Sequence, residues 1–383
     1  MFKANVKFRG EVMIGKYVES PITNYLYAKA TRELRPLSGT FELSPLCNFN
    51  CKMCYVHQKK CELKAQGKVV LPPSFWIDLA KQAKDEGMLF LLLTGGEPFL
   101  YDGFKEVYEA IYRLGFVISI NTNGSLIDDG WIEFLKKFPP SRMNITLYGA
   151  SNETYEELCG VKGMFDRVVQ NILRLKRAGI AVKLNCSLTP SNAKDLEKIV
   201  KFSDEHQLIL EIATYMFPPI RLDESKKGIN HRFSPEEMAM YEVEKVRLQR
   251  GEDVLVKYKG QVLEGYCDIP ECDSLCLEKE GSHLLCRAGR ASFWTTWEGN
   301  LTPCGMMPVP KVSLRDMSFK EAWNVLVERT GAIRLAPECR DCKNQSVCHS
   351  CAGMAYAENA DFTKRPKYLC EFVKSLKEQC ENK

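Results

Sequence analysis

Between residues 40 and 250 the sequence alternates short apolar runs with amphipathic stretches, and this alternation limits the fold more than any other feature. Residues 40–43, 88–93, 116–121, 143–147, 181–188 and 208–215 have the composition of strands. The run 88–93 is apolar throughout, as expected of a strand buried on both faces. Residues 72–86, 104–114 and 131–138 read as helices between them. Phe165, Val168, Val169, Ile172 and Leu175 form a helical stripe, and Asn192 is placed to cap a helix running to His206. Residues 235–248 supply a last helix. Such alternation implies an α/β fold with a parallel sheet and right-handed crossovers. Six units suit a partial (β/α)6 TIM-like barrel, open on one side. The functional site of such a fold belongs at the C-terminal ends of the strands.

The 383 residues allow two or three domains. We expect an N-terminal extension over 1–38, the partial barrel over 39–225, a polar, partly helical bridge over 226–266, and a cysteine-rich domain over 267–383. Eleven of the seventeen cysteines fall in that last stretch, where helical periodicity weakens. This predicts a separate domain held by metal rather than by a large core. Without a secretory signal, an odd cysteine count and clustered C-x-x-C pairs argue for metal over disulfides. No apolar run reaches membrane-spanning length, so we expect no membrane association and a cytoplasmic location. A net charge of +4 and the lack of a basic stripe argue against nucleic acid as a partner.

Cys47, Cys51 and Cys54 follow the first strand at the spacing C-x3-C-x2-C. Cubane clusters are normally held by four thiolates, so three on one tight loop suit a [4Fe-4S] cluster with one iron open to a ligand. Gly95-Gly96-Glu97-Pro98 ends the second strand, and Asn121-Thr122-Asn123-Gly124 ends the third. The glycines permit a close approach of backbone to a ligand. Thr146 and Tyr148 close the fourth strand.

The cysteine spacing followed by Gly-Gly-Glu-Pro resembles the radical S-adenosylmethionine (radical SAM) enzymes, whose partial-barrel fold matches the alternation. The resemblance implies that the open iron chelates the amino and carboxylate groups of S-adenosylmethionine. One electron then cleaves a C–S bond to give a 5′-deoxyadenosyl radical. It also implies that Gly95, Gly96, Glu97 and Pro98 hold the cofactor's amino group, that Asn123 faces the cofactor, and that the Thr146 hydroxyl contacts its ribose. Two positions depart from the family pattern: Met53 replaces an aromatic residue, and Tyr148 replaces an acid.

The last third resembles the SPASM extension of that family. Cys286, Gly299 and Cys304 have its first spacing; Cys339, Cys342, Cys348 and Cys351 follow, with one internal gap a residue short, and Cys370 lies beyond. The resemblance implies one auxiliary [4Fe-4S] cluster on Cys339, Cys342, Cys348 and Cys370. It implies a second on Cys286, Cys304 and Cys351, for which Cys267, Cys272 and Cys276 compete as fourth ligand. Cys276, nearest in sequence to Cys286, needs the shortest loop. Three clusters in all are expected.

Cys61, Cys159, Cys186 and Cys380 fit no motif and read as inert thiols. Tyr215 and Arg221 follow the sixth strand, where Arg221 could hold a carboxylate or make a surface ion pair. His349 lies within the cysteine loop without a ligand's role to fill. The resemblance implies an enzyme that abstracts hydrogen from a peptide or protein, making a crosslink, thioether, epimer or oxidised residue with electrons from an external low-potential donor. The alternatives are a small-molecule oxidase or epimerase of the same family, and a non-catalytic electron carrier. Residues 1–38 are too short for the winged leader-binding module of some relatives.

Overall fold

The computed structural model describes residues 20–219, 231–265, 286–340 and 342–381. Helix α1 (Pro21–Glu33) precedes strand β1 (Ser38–Glu42), and a short helix α2 (Lys60–Ala65) follows the cysteine loop. Then come α3 (Pro73–Asp85), β2 (Phe90–Thr94), α4 (Phe104–Arg113), β3 (Val117–Thr122), α5 (Asp129–Lys137) and β4 (Arg142–Thr146). Two helices, α6 (Asn152–Cys159) and α7 (Met164–Arg177), lead to β5 (Val182–Ser187), α8 (Leu196–Glu205) and β6 (Ile209–Ala213). Strands β1 to β6 pair side by side, all parallel, in the order of the chain. This is the expected partial barrel, each strand lying within two residues of its sequence-based limits.

Registers and strand alternation assign the two faces of the sheet. Phe41 packs on Trp76 of α3, with ring centroids 5.4 Å apart, so Phe41, Leu93 and Ile120 face the helices. The opposite, inner face carries Thr40 and Glu42, Leu92 and Thr94, Ser119 and Asn121, Asn144 and Thr146, and Asn185 and Ser187. Closed barrels fill this space with branched aliphatic side chains. Here it is mostly polar, the composition of a surface that receives something rather than of a core.

Asn192 does not cap α8. Its Nδ2 donates to the carbonyls of Tyr148 and Ser187, each at 3.0 Å, and its Oδ1 accepts from the Thr189 N–H at 2.7 Å. The chain enters α8 through a 3-10 turn, Ala193–Asp195. The carboxamide fastens the strand-end loops by bonding these partly buried carbonyls.

The last third departs further from expectation. Helices α9 (Pro235–Arg250) and α10 (Glu252–Glu264) precede β7 (Ser292–Thr295), β8 (Asn300–Thr302) and β9 (Val312–Ser313). Strand β7 pairs parallel with β1, and β8 and β9 add antiparallel strands, giving a nine-stranded sheet ordered β6-β5-β4-β3-β2-β1-β7-β8-β9. Helices α11 (Phe319–Gly331), α12 (Pro337–Arg340), α13 (Gln345–Cys348), α14 (Ala352–Asn359) and α15 (Lys367–Glu381) complete the described chain. Phe293, Phe319, Trp323, Leu369 and Phe372 belong to the same continuous core as Phe41 and Trp76. The C-terminal third therefore shares the barrel's core instead of standing on metal alone. Helix α9 packs chiefly on α15.

Candidate functional site

Main-chain hydrogen bonds fasten the cysteine loop to the Gly-Gly-Glu-Pro turn. The Gly96 N–H donates to the Ser44 carbonyl at 2.7 Å, and the Glu97 N–H to that of Leu46 at 2.8 Å. A Cβ on Gly95 would lie 2.6 Å from the Ser44 oxygen, and one on Gly96 2.4 Å from the Leu46 oxygen. Both glycines are needed because two backbones pass in contact here.

Glu97 is fully buried and carries the linkage to β3. Its carboxylate accepts from the Thr122 hydroxyl (2.8 Å), the Asn123 N–H (2.8 Å) and the Phe99 N–H (3.2 Å). Burial pushes its carboxyl up to about 7 against those three donors. Both oxygens are thus bonded within the chain, which makes Glu97 a brace, and the turn's main chain is what remains to face a ligand. Pro98 is buried at the start of a 3-10 turn.

Asn123 completes the junction. Its Nδ2 donates to Asn48 Oδ1 at 3.0 Å and lies 3.8 Å from Cys47 Sγ, while its Oδ1 accepts from the Ser125 hydroxyl at 2.6 Å. Cys47 Sγ accepts from the Phe49 N–H, and Cys54 Sγ from the His57 N–H, both at 3.3 Å. Burial pushes the Cys47 thiol up to about 12 and the Cys54 thiol up to about 11. Such thiols ionise only when a cation replaces the lost hydration, as irons do. Thr146 lies on the inner face of β4, in register with Asn185 of β5.

Two residues to which the sequence analysis gave no role flank this loop. Cys159, expected to be inert, is fully buried, and its stretch pairs with the cysteine loop: the Asn50 N–H donates to the Cys159 carbonyl at 2.9 Å and the Lys52 N–H to that of Leu158 at 3.0 Å. Glu42, fully buried on the inner face, accepts from Trp294 Nε1 of β7 at 3.0 Å and adds a negative charge near Cys54. A carboxylate inside an otherwise apolar strand was the signal for Glu42; Cys159 offered none.

The thiols of the last third form two further groups. Cys286, Cys304 and Cys351 lie close enough for each pair to interact electrostatically, and burial pushes Cys304 up to about 12. Cys351 also caps α14, accepting from the Met354 N–H at 3.4 Å. Cys339, Cys342, Cys348 and Cys370 line one cavity of about 520 Å³, whose wall also carries Arg334, Lys364 and Arg365. Cys342 and Cys370 are exposed. Among the described residues no three His, Cys, Asp or Glu side chains are grouped as ligands of a single ion. All-thiolate sets of three and four are the donors that iron–sulfur clusters take.

Arg221, Cys267, Cys272 and Cys276 lie outside the described residues. Tyr215 donates to Glu358 Oε1 at 2.6 Å, and Arg232 grips the same carboxylate at 2.6 and 3.0 Å while stacking on Tyr368. This joins the end of β6 to α14 and α15. Cys186 and Cys380 are buried, and Cys61 and His349 exposed.

Comparison with known proteins defines the class. Residues 41–203 match the Radical SAM superfamily. They form a radical SAM domain, and the chain is an enzyme. It is 24% identical over 344 residues to the AdoMet-dependent heme synthase of Methanosarcina barkeri, covering 86% of this chain and 94% of that one. It is 23% identical over 309 residues to the sporulation killing factor maturation protein SkfB of Bacillus subtilis, covering 80% and 68%. Among solved structures, Streptococcus suis SuiB bound to precursor peptide SuiA shares the fold, with a TM-score of 0.64, 18% identity, and coverage of 96% of this chain and 84% of that one. Among the described residues no helix is long and apolar enough to cross a membrane.

Proposed function

We propose that this chain uses S-adenosylmethionine to abstract hydrogen from a peptide or protein substrate, as a maturase carrying three [4Fe-4S] clusters. Cys47, Cys51 and Cys54 hold the catalytic cluster. When bound, it supplies the electron that turns S-adenosylmethionine into a 5′-deoxyadenosyl radical. Gly95 and Gly96 present main-chain groups to the cofactor, Glu97 and Pro98 keep that turn in place, and Asn123 and Thr146 face the cofactor from β3 and β4. Cys339, Cys342, Cys348 and Cys370 hold one auxiliary cluster. Cys286, Cys304 and Cys351 hold the other, with Cys276 as its fourth ligand. Residues 267–383 act as the SPASM domain, 226–266 as the bridge and 1–38 as the N-terminal extension. Electrons come from an external low-potential donor, and the enzyme works in the cytoplasm, without membrane or nucleic acid.

The observation that carries this reading is the junction itself. A three-thiol loop, a glycine turn and a buried Glu97–Asn123 brace meet at the C-terminal ends of three adjacent strands. Support for a peptide comes from SkfB, a maturation protein, and from SuiB, seen with its precursor peptide. The long match to a heme synthase supports a second reading, a small-molecule substrate. The test is mass spectrometry of candidate peptides encoded beside the gene, after incubation with enzyme, S-adenosylmethionine and reductant. A peptide mass change with release of 5′-deoxyadenosine supports the first reading. Release without any peptide change favours the second. Changing Cys47, Cys51 and Cys54 to Ala should abolish release and leave iron in the C-terminal third; continued release would refute the assignment.

A further inference from the structure

The polar inner face of the sheet holds a chain of side-chain hydrogen bonds whose direction is fixed by chemistry. Asn121 of β3 and Asn144 of β4 are register partners, and Arg142 stands two residues before Asn144 on the same face. Arg142 Nε donates to Asn144 Oδ1 at 2.8 Å, and Asn144 Nδ2 donates to Asn121 Oδ1 at 2.8 Å. A guanidinium has donors and no acceptor, so Asn144 must turn its oxygen to Arg142. Its amine then faces Asn121, which must answer with its own oxygen. The Asn121 Nδ2 is left on the side away from Asn144, with no partner among the described residues.

The position of that amine gives it meaning. Leu93 pairs with Ile120, which puts Asn121 beside Thr94, the residue before Gly95. Further along the same strand end, the polar groups of Thr122 and Asn123 are taken up by Glu97, Asn48 and Ser125. Asn144 is buried, whereas Asn121 is only half-buried. An oriented donor in a half-open space beside the cofactor turn is a docking point for an acceptor. Each bond of the chain polarises the next, and the charge on Arg142 strengthens the last donor.

Resting on the reading that the substrate is a peptide, we propose that Asn121 donates through Nδ2 to an amide carbonyl oxygen of that substrate, and that Arg142 and Asn144 fix the direction of this bond. Asn121 touches the substrate and determines specificity; Arg142 and Asn144 are positioning residues that act through it. The selection is by polarity rather than size. An oriented amine accepts a carbonyl and rejects a group that brings a donor or nothing, because the amine, shielded from water by the substrate, is then left unpaired.

Asn144→Asp is the decisive variant. It is nearly isosteric, keeps an acceptor for Arg142 and adds an ion pair to it, so the fold has no reason to weaken. Its carboxylate offers Asn121 an acceptor where the amine was, so the Asn121 amide turns over and sends its oxygen to the substrate side. The probe is the peptide encoded beside the gene whose mass the wild type changes, with the full reconstituted protein. Asn144→Asp and Asn121→Asp should each raise its KM about tenfold, the cost of one unpaired acceptor, and raise it more than they lower kcat. Calorimetric binding of the same peptide in the presence of S-adenosylmethionine should weaken by the same factor. Arg142→Met, which frees both amides to turn, should raise KM part of the way. Affinity for S-adenosylmethionine, by equilibrium dialysis, should not change. Unchanged KM and peptide affinity in both Asp variants would overturn the proposal, and a loss in Asn121→Asp alone would overturn the relay. A fall in S-adenosylmethionine affinity in place of the peptide effect would assign the donor to the cofactor and overturn the proposal as well. If the wild type alters no peptide, the underlying reading fails and the proposal with it, a result distinct from unchanged KM.

Discussion

Replacing Gly96 by Ala tests the joint between the cofactor turn and the cysteine loop. The added Cβ would sit 2.4 Å from the Leu46 oxygen and 2.7 Å from both the Leu46 carbon and the Pro45 oxygen. All three are backbone atoms, so no rotamer change relieves the clash. Overpacking of this kind costs about 1–3 kcal/mol. Separating the strands to relieve it stretches the Gly96 to Ser44 and Glu97 to Leu46 hydrogen bonds, at about 1 kcal/mol each. The total, about 3–5 kcal/mol, is a large part of a domain's usual stability of roughly 5–15 kcal/mol. Urea unfolding of the iron-free protein measures the loss, and iron analysis after reconstitution reports whether the loop still takes a cluster. Gly260→Ala is the internal control: nothing lies within 4 Å of its added Cβ inside α10. It should stabilise by about 0.5–1 kcal/mol. A Gly96→Ala protein within about 1 kcal/mol of wild type and with full iron would refute the close-approach reasoning.

Glu97 gives a pH signature. Burial raises its folded carboxyl from 4.5 to about 7, so the folded chain binds a proton that the unfolded chain has released. Its contribution is fully present below pH 4.5 and is lost as pH rises through about 7, up to about 3 kcal/mol. Glu97→Gln should flatten the unfolding free energy across that window, as urea titrations at several pH values would report. Removing the largely buried Arg232–Glu358 pair through Glu358→Ala should cost about 3–5 kcal/mol, whereas Arg232→Met with Glu358→Leu should cost less. A double-mutant cycle checks this, and an additive result would contradict it. Changing Cys339, Cys342, Cys348 and Cys370 together to Ser should remove about four of roughly twelve irons and spare 5′-deoxyadenosine release, read by iron analysis and chromatography.

The barrel was legible because buried parallel strands are written as local apolar runs, such as Phe90–Thr94, and their ends are marked by short motifs. The thiol groups were legible because ligand spacing along the chain survives folding. What sequence did not reveal lies in partners far apart in the chain. Glu42 meets Trp294, and the cysteine loop meets Leu158 and Cys159, through sheet register and loop pairing that no local pattern encodes. Strand β7, Ser-Phe-Trp-Thr, is too short to announce itself, so its place beside β1 and the shared core were missed. Asn192 carried a good capping signature, but the carbonyls of Tyr148 and Ser187 took its side chain instead.

The pairing of β1 with β7 also sets the order in which the molecule can be made. One edge of Ser38–Glu42 is covered early by Phe90–Thr94, but the other waits for Ser292–Thr295, some 250 residues later. Until those residues leave the ribosome, the nascent barrel offers an open parallel edge, the kind of surface that recruits other strands. Closing so long a loop also slows folding. The barrel half made alone would thus be prone to aggregate, and this enzyme's soluble yield should depend on chaperones that shield β1 until the last third arrives.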